Sequence, residues 1–256
     1  MKYLYLLLML FSLAAGATDP GSQYKHQAEA GDPRAQYYLA DTYVSYGDYQ
    51  QAEYWAQKSA DNGDGDALAL LAQLKIRNPQ QADYKQAREL AEKAVQVGSK
   101  AGEIILARVL VNHQAGPTDY SHAITLLQDA AQDPESDSAV DAQMLLGLIY
   151  ASGVQMTEDD ARATDYFKRS SSLSRTGYAE YWAGMMFLQG EQGFIEPNQQ
   201  KALHWLNVSC QEGFDTGCEE FDRISKRKEK ARRSRRALRR LINLLEPGAR
   251  VLPGGG

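Results

Sequence analysis

The feature that most constrains the fold of this chain is a two-part apolar pattern that recurs five times, followed by a shortened sixth copy. The first part reads AQYYLA at Ala35 and AQMLLG at Ala142, and the second reads AEYWAQKSA at Ala52 and ALHWLNVSC at Ala202. The first-part anchors lie 32, 35, 40, 37 and 38 residues apart, at Ala35, Ala67, Gly102, Ala142, Ala179 and Gly217. A period in this range, with two apolar segments in each copy, predicts an all-α solenoid in which each helix pair packs on its neighbours.

Small and bulky residues alternate within each copy in the way that close helix packing requires. Ala35, Leu39 and Tyr43 have the spacing i, i+4, i+8, which places them on one face of the first helix. A bulky residue follows each second-part anchor by three positions, at Trp55, Leu90, Leu126, Tyr166 and Trp205. Glycines fall where the chain must turn, at Gly47, Gly153 and Gly190 between helices and at Gly63, Gly98 and Gly213 after the second helix. We interpret these as packing and turning residues rather than site residues.

The recurring residues resemble the Sel1-like repeat, a relative of the tetratricopeptide repeat. The first half has the form small-x-x-x-Leu-Ala/Gly-x-x-Tyr, and the second has the form Ala-x-x-aromatic-x-x-Lys/Arg-Ser/Ala-Ala-x-x-Gly, over about residues 24–222. The second and third copies depart from the pattern around residues 76–79 and 112–116, where the glycine-rich loop between helices is missing or displaced. The resemblance implies a right-handed α-solenoid of about five antiparallel helix pairs.

The N-terminal residues have the form of a secretory signal peptide. One lysine precedes an apolar run that ends at Ala15-Gly16-Ala17, a small-x-small cleavage pattern. The run is shorter than the ~20 residues that a membrane span needs, and no cysteine follows it to carry a lipid anchor. We predict cleavage after Ala17 and a periplasmic or secreted protein; the alternatives are an uncleaved anchor and a buried first helix.

Charge divides the chain into an acidic body and a basic tail. From residue 223 onward the count of Lys and Arg minus Asp and Glu is 12 − 2 = +10, and residues 1–222 give 16 − 31 = −15. The predicted organisation is a signal peptide at 1–17, a solenoid at 18–222 and a basic amphipathic helix with a disordered end at 223–256. Within the solenoid the predicted units lie at about 31–63, 64–98, 99–134, 138–174 and 176–213, with a partial unit at 214–222.

The two cysteines, Cys210 and Cys218, lie on either side of the turn that follows the last full second helix. A helix end and a helix start across a tight turn can bring two Cα atoms within the ~4.4–6.8 Å that a disulfide requires. The spacing resembles the cysteine pairs that join repeats in secreted, cysteine-rich Sel1-like proteins. Export favours a disulfide; the alternative is two unpaired buried thiols.

Catalytic patterns are weak throughout the chain. The four histidines show no ligand spacing with a carboxylate or cysteine, so we expect neither a metal nor a cofactor; they are His26, His113, His122 and His204. Some Sel1-like proteins are linked to penicillin-type ligands, and Ser22-Gln-Tyr-Lys25 fits the letters of SxxK without its SDN and KTG companions. The carboxylates Glu158-Asp159-Asp160 fall in a predicted loop, where solvation explains them. The prediction is a protein that is not an enzyme.

A solenoid binds its partners mainly on the concave surface built by its first helices. By resemblance to tetratricopeptide geometry, the groove-facing offsets from each anchor are −1, +2 and +6. The candidate groove residues are Arg34, Tyr37, Asp41, Asp66, Gln73, Arg108, Asp141, Tyr178 and Tyr181. Tyrosines among charged residues suit a polypeptide partner; the alternative is ordinary solvated helix surface.

The basic tail is compatible with one amphipathic helix that stops at Pro247-Gly248. Its apolar stripe is Ala231, Leu238, Leu241, Ile242 and Leu245, opposite Arg232, Arg233, Arg235, Arg236, Arg239 and Arg240. The helix could cap the array, bind an anionic membrane surface or lipopolysaccharide, or bind nucleic acid, which export disfavours. We favour a cap whose basic face is available to anions.

These observations predict a non-catalytic scaffold that binds another protein in its groove. The resemblance implies an envelope-complex component or a host protein as the partner. A cell-wall-active or penicillin-recognising enzyme of the cysteine-rich Sel1-like type is the alternative.

Overall fold

A computed structural model describes residues 21–77, 81–132, 136–153, 159–172 and 176–245. The predicted signal peptide, Glu158 and the segment after Leu245 lie outside these residues. The described chain forms twelve α-helices and one short 3₁₀ helix, and the one bridge between extended residues within these ranges joins Glu191 and Ile195. The predicted all-α fold is therefore confirmed.

The chain forms two compact units, residues 1–142 (the N-terminal unit) and residues 143–256 (the C-terminal unit). The N-terminal unit contains α1 (Ser22–Glu29), α2 (Pro33–Tyr46), α3 (Tyr49–Asp61), α4 (Gly65–Ile76), α5 (Tyr84–Gln96), α6 (Lys100–Val111), a 3₁₀ turn (His113–Ala115) and α7 (Tyr120–Ala130). Helix α8 (Asp137–Ser152) spans the division. The C-terminal unit continues with α9 (Asp160–Ser172), α10 (Tyr178–Gln189), α11 (Gln199–Gln211) and α12 (Asp215–Leu245).

Aspartates fix the starts of most helices in the N-terminal unit. The Ala35 backbone N–H donates a 2.9 Å hydrogen bond to Asp32 Oδ1 at the start of α2. Asp48, Asp64, Asp83 and Asp119 accept equivalent bonds at the starts of α3, α4, α5 and α7. Each carboxylate satisfies backbone donors that have no partner within the helix. Gly47, with φ 78°, ends α2 in the left-handed conformation that favours glycine, so the predicted reversal between helices lies there.

The core of the N-terminal unit contains the apolar stripe predicted from the repeat spacing. Leu39 is fully buried, Ala35 and Tyr43 are 4% and 8% exposed, and all three belong to one cluster with Trp55 and Leu71. Alanines of α3 are also fully buried there, which lets the paired helices approach closely.

The C-terminal unit has a core of larger aromatic residues. Trp205 is 1% exposed, and its ring meets the fully buried Phe167 ring edge-on at a centroid distance of 4.8 Å. Gly147 faces the same ring, and a Cβ atom at this position would lie 2.4 Å from Phe167 Cε1. The absence of a side chain at Gly147 therefore makes room for the Phe167 ring.

The residue three positions after each second-part anchor was predicted to be the bulky packing residue. This prediction is confirmed in the first and fifth copies and is wrong in the three copies between them. Trp55 and Trp205 are buried as expected. Leu126 is only half-buried, whereas its neighbour Leu127 is fully buried. Tyr166 and Leu90 are likewise half-buried beside the fully buried Phe167 and Ala91. The residue four positions after the anchor, about one helical turn on, is fully buried in all five copies, so it is the constant packing position: Ala56, Ala91, Leu127, Phe167 and Leu206.

A repeated serine links the second helix of a pair to the start of its first helix. Ser59 Oγ donates to the Pro33 carbonyl at 2.7 Å, and Ser209 Oγ donates to the Gly177 carbonyl at 2.7 Å. Both serines are fully buried and lie four residues before the closing glycine, Gly63 or Gly213. The Gly177 carbonyl also accepts from the Tyr181 N–H within α10, so the serine adds a second hydrogen bond to a helix-start carbonyl and satisfies its own buried hydroxyl, which makes this small polar residue part of the packing.

Helix α12 runs without a break through residue 223, where the sequence analysis placed the start of a separate tail. Ile224 is buried, and residues 226–241 are all exposed. Leu238 and Leu241, which the favoured prediction packed over the end of the array, are 58% and 56% exposed. The capping prediction is thus wrong for the described helix. No glycine or proline separates Gly217 from Pro247, so the helix continues out of the last half-repeat.

Candidate partner-binding surface

Three tyrosines and one arginine form an aromatic surface on the first helices of the N-terminal unit, which we call the N-terminal patch: Tyr24, Arg34, Tyr37 and Tyr38. Tyr24 and Tyr38 stack with centroids 5.2 Å apart, and Tyr37 meets Tyr38 at 5.5 Å. The guanidinium carbon of Arg34 lies 5.7 Å from the Tyr38 ring centre. Tyr38 is 40% exposed, so the patch presents aromatic area to solvent.

Hydrogen bonds connect the N-terminal patch with the starts of the next two first helices, α4 and α6. Arg34 Nη1 donates to Asp66 Oδ2 at 3.2 Å, and Ser99 Oγ donates to Asp66 Oδ1 at 2.7 Å. Asp66 thereby links α2 to the start of α4 and to the N-cap of α6. Arg34 is 60% exposed, so we assign its ion pair little net stability and treat it as a means of orienting the side chain.

Tyr37 lies half-buried beneath this surface as a neutral phenol. Burial raises its pKa to about 12, and the nearby charge of Asp41 adds to the effect. The hydroxyl therefore remains protonated at neutral pH and keeps its capacity to donate a hydrogen bond.

A second aromatic surface, the C-terminal patch, consists of Tyr178, Tyr181, Trp182 and Phe214. Trp182 meets Tyr178 at 6.1 Å and Tyr181 at 5.7 Å, both edge-on. Phe214 meets the same two tyrosines at 5.9 and 5.4 Å. The four rings brace one another, and Trp182 is nevertheless 42% exposed. A large aromatic side chain held in one orientation and open to solvent is a favourable anchor for a partner.

The exposed aromatics of the two patches occupy the same position of the repeat, three residues after the first-part anchor. Tyr38 and Trp182 stand there in the first and fifth copies and are exposed. The corresponding residues of the other copies are aliphatic and buried, at 7%, 6% and 6% exposure: Leu70, Ile105 and Leu145. The aromatic residues at this position in the first and fifth copies are visible in the sequence. The predicted groove offsets of −1, +2 and +6 did not include this position.

The structure brings some of the predicted groove residues into contact and places others on separate helices. Arg34, Tyr37 and Asp66 lie together, and Asp41 is exposed close enough to act on Tyr37. Tyr178 and Tyr181 are half-buried supports of Trp182. Gln73 and Asp141 are exposed on α4 and α8, and Arg108 is half-buried on α6. The groove assignment itself stays a prediction for all nine residues.

Cys210 at the end of α11 and Cys218 near the start of α12 form a disulfide, with their Cα atoms 4.5 Å apart. The bond closes a short loop around Gly213. On the chain-entropy account a loop of this size stabilises by about 2–3 kcal/mol.

The residues considered for catalysis occupy structural positions where they are described. Ser22 and Lys25 are exposed in the first turn of α1. Asp159 Oδ1 accepts a 2.9 Å bond from the Arg162 backbone N–H, which makes it a cap of α9. Across the described ranges no three His, Cys, Asp or Glu residues are arranged as a metal site. Nor is any helix in them both long and apolar enough to cross a membrane.

Paired helices, capping aspartates and small anchors define a helical repeat protein. The Sel1 repeat family profile matches residues 33–64, 67–99, 140–174 and 177–214, and the chain belongs to this family. The pair α6 and α7 lies between the second and third matches. The repeat unit predicted at about 99–134 forms this helix pair, although it lies outside the matched ranges.

Close relatives extend over almost the whole chain. The Sel1-repeat-containing protein YjcO of Escherichia coli K12 is 65% identical over 227 residues, which is 88% of this chain and 99% of that protein. A crystal structure of a Sel1 repeat protein from Klebsiella pneumoniae subsp. pneumoniae is 83% identical, with a TM-score of 0.79 over 81% of this chain and 100% of that one. A Sel1 repeat protein from Oxalobacter formigenes, 22% identical over 74% of this chain and 75% of its own, shares the fold with a TM-score of 0.51.

Proposed function

We propose that this chain is a non-catalytic scaffold that binds a partner polypeptide through the exposed aromatics of its first helices. Sel1 and tetratricopeptide-like repeats are commonly protein-interaction scaffolds. The observation that carries the proposal is the exchange of a buried aliphatic residue for an exposed aromatic one at the same repeat position, at Tyr38 and at Trp182. Packing within a copy does not require an exposed aromatic ring, whereas the residues that dominate binding interfaces are enriched in Trp and Tyr.

The nature of the two patches favours a polypeptide over a small ligand. Both are open surfaces of rings that contact one another, with hydroxyl groups at their edges, and neither is an enclosed cavity. Rigid aromatics with polar ends provide contact area to a peptide at low entropic cost. Asp41, Asp64 and Asp66 lie around the N-terminal patch, so a partner segment with basic side chains fits there best.

Site-specific photo-crosslinking in cells tests the proposal. A photoreactive amino acid is placed at position 38 or 182, and as a control at position 54, where Tyr54 is 50% exposed on the second helix α3. We expect crosslinks to a defined protein from 38 and 182 and none to that protein from 54. Equal crosslinking from all three positions contradicts a specific role for the first helices.

We further propose that the chain works outside the cytoplasm, as an envelope or secreted protein. The Cys210–Cys218 disulfide supports this because such bonds persist in oxidising compartments. N-terminal sequencing of the protein isolated from cells provides the test: export predicts a chain that begins at Thr18, and a chain that retains Met1 and stays with the cytoplasmic fraction contradicts it.

A further inference from the structure

The outer part of α12, from Lys226 to Leu241, is a strongly cationic and exposed helix. All sixteen residues from Lys226 to Leu241 are exposed, and ten of them are Lys or Arg against one Glu, a net charge of 10 − 1 = +9. Two of the cations pair locally, Lys226 with Asp222 and Arg233 with Glu229. A helix with this charge is suited to an anionic surface.

An apolar stripe interrupts the cationic surface of this helix. Ala231, Leu238 and Leu241 are separated by seven and three residues, which places them on one face. Leu238 and Leu241 are 58% and 56% exposed, so more than half of each apolar side chain faces water. Water is an unfavourable environment for such a stripe, and a partner that removes it from water gains binding free energy.

Beside the stripe, arginines line an open recess of about 750 Å³ between α12 and the start of α11. Gln199 of α11 and Arg227, Arg232, Arg235, Arg236 and Arg239 of α12 form its walls. The guanidinium group donates paired hydrogen bonds that match phosphate oxygens. Phosphate groups are therefore the anions that this face is best built to hold.

We propose that α12 docks on an anionic phospholipid surface, lying in its plane with the leucines in the acyl boundary and the arginines on the lipid phosphates. Basic amphipathic helices bind membranes through these two contributions together. A nucleic acid offers phosphates to the same arginines, but it gives the leucines nothing apolar to enter. The stripe therefore selects lipid over a free polyanion, and this docking is independent of the aromatic patches.

Vesicle sedimentation with the full chain tests the docking. We expect binding to phosphatidylcholine vesicles that contain phosphatidylglycerol, weak binding to phosphatidylcholine alone, and loss of binding at high salt. The variant R235Q/R236Q/R239Q should bind the anionic vesicles about 100-fold more weakly, because each basic residue near an anionic surface contributes several-fold. Circular dichroism of each variant verifies that the helices remain.

Two further variants separate lipid docking from its alternatives. L238S/L241S keeps every charge and should weaken vesicle binding at least about tenfold while leaving binding to single-stranded DNA unchanged. K58Q/K85Q/K93Q removes the same net charge from exposed lysines of α3 and α5 and should bind vesicles like the wild type. If wild-type chain does not bind anionic vesicles, or if L238S/L241S binds them as tightly as wild type, the proposal is overturned.

Discussion

Replacement of Trp205 by alanine is expected to lower the free energy of unfolding of the C-terminal unit by about 4 kcal/mol. The side chain is 1% exposed and packs edge-on against Phe167, which is fully buried. Removal of the indole leaves a large void, because Phe167 is itself confined on its other side by Gly147 and cannot move to fill it without losing that contact.

Urea unfolding followed by far-UV circular dichroism measures this loss. Trp182→Ala is the matched control, because it removes the same side chain from the paired helix α10 at a position that is 42% exposed. We expect Trp182→Ala to cost less than about 1 kcal/mol, since the side chain is 42% exposed and its removal opens no enclosed cavity. If the two substitutions lowered the free energy of unfolding equally, Trp205 would not be a core residue of this unit.

Leu39→Ala is expected to destabilise the N-terminal unit by about 3 kcal/mol. Leu39 is fully buried in the cluster that contains Trp55 and Leu71, so its truncation leaves an enclosed cavity in the core. Trp55 belongs to the same cluster, and its fluorescence reports the unfolding of this unit when both variant and reference carry phenylalanine at positions 182 and 205.

Leu238→Ala removes an equal volume from an exposed position on α12 and serves as the reference for Leu39→Ala. It should change stability by less than about 0.5 kcal/mol. A loss of that small size for Leu39→Ala as well would show that the predicted stripe of the first helix is not the packing face.

The repeat period predicted the helices and the small residues between them because these depend on local spacing. Ala35, Leu39 and Tyr43 are buried where the i, i+4, i+8 pattern placed them, and Gly47 turns the chain as expected. Such features follow from helix geometry and backbone conformation, which the identities of nearby residues specify.

Features that depend on neighbouring helices were harder to predict. Phe167 stands at a position that is fully buried in every copy, but whether its neighbour Tyr166 is also covered depends on the helices packed around α9, which the sequence pattern does not specify. The residue three positions after the first-part anchor is buried in every copy where it is aliphatic. Its exposure at Tyr38 and Trp182 became clear only from the packed helices. Similarly, the amphipathic pattern of α12 is compatible with capping and with surface binding, and only the exposure of Leu238 and Leu241 separates the two.

The two patches and α12 give the chain two kinds of surface with different physical properties. The patches are aromatic and carry few formal charges beyond Arg34 and its aspartates, whereas α12 is cationic along its exposed length. Salt should therefore weaken lipid docking strongly and polypeptide binding much less. The same purified chain can be used to measure both.

The most direct test of the scaffold account is the affinity of the chain for the protein crosslinked at positions 38 and 182. Isothermal titration calorimetry should show that Trp182→Ala weakens this affinity at least about 30-fold, as expected for an exposed, rigidly held aromatic at an interface centre. Tyr54→Ala, which alters an equally exposed aromatic on a second helix, should bind within about threefold of the wild type. Unchanged affinity for Trp182→Ala together with a loss for Tyr54→Ala would contradict binding through the first helices.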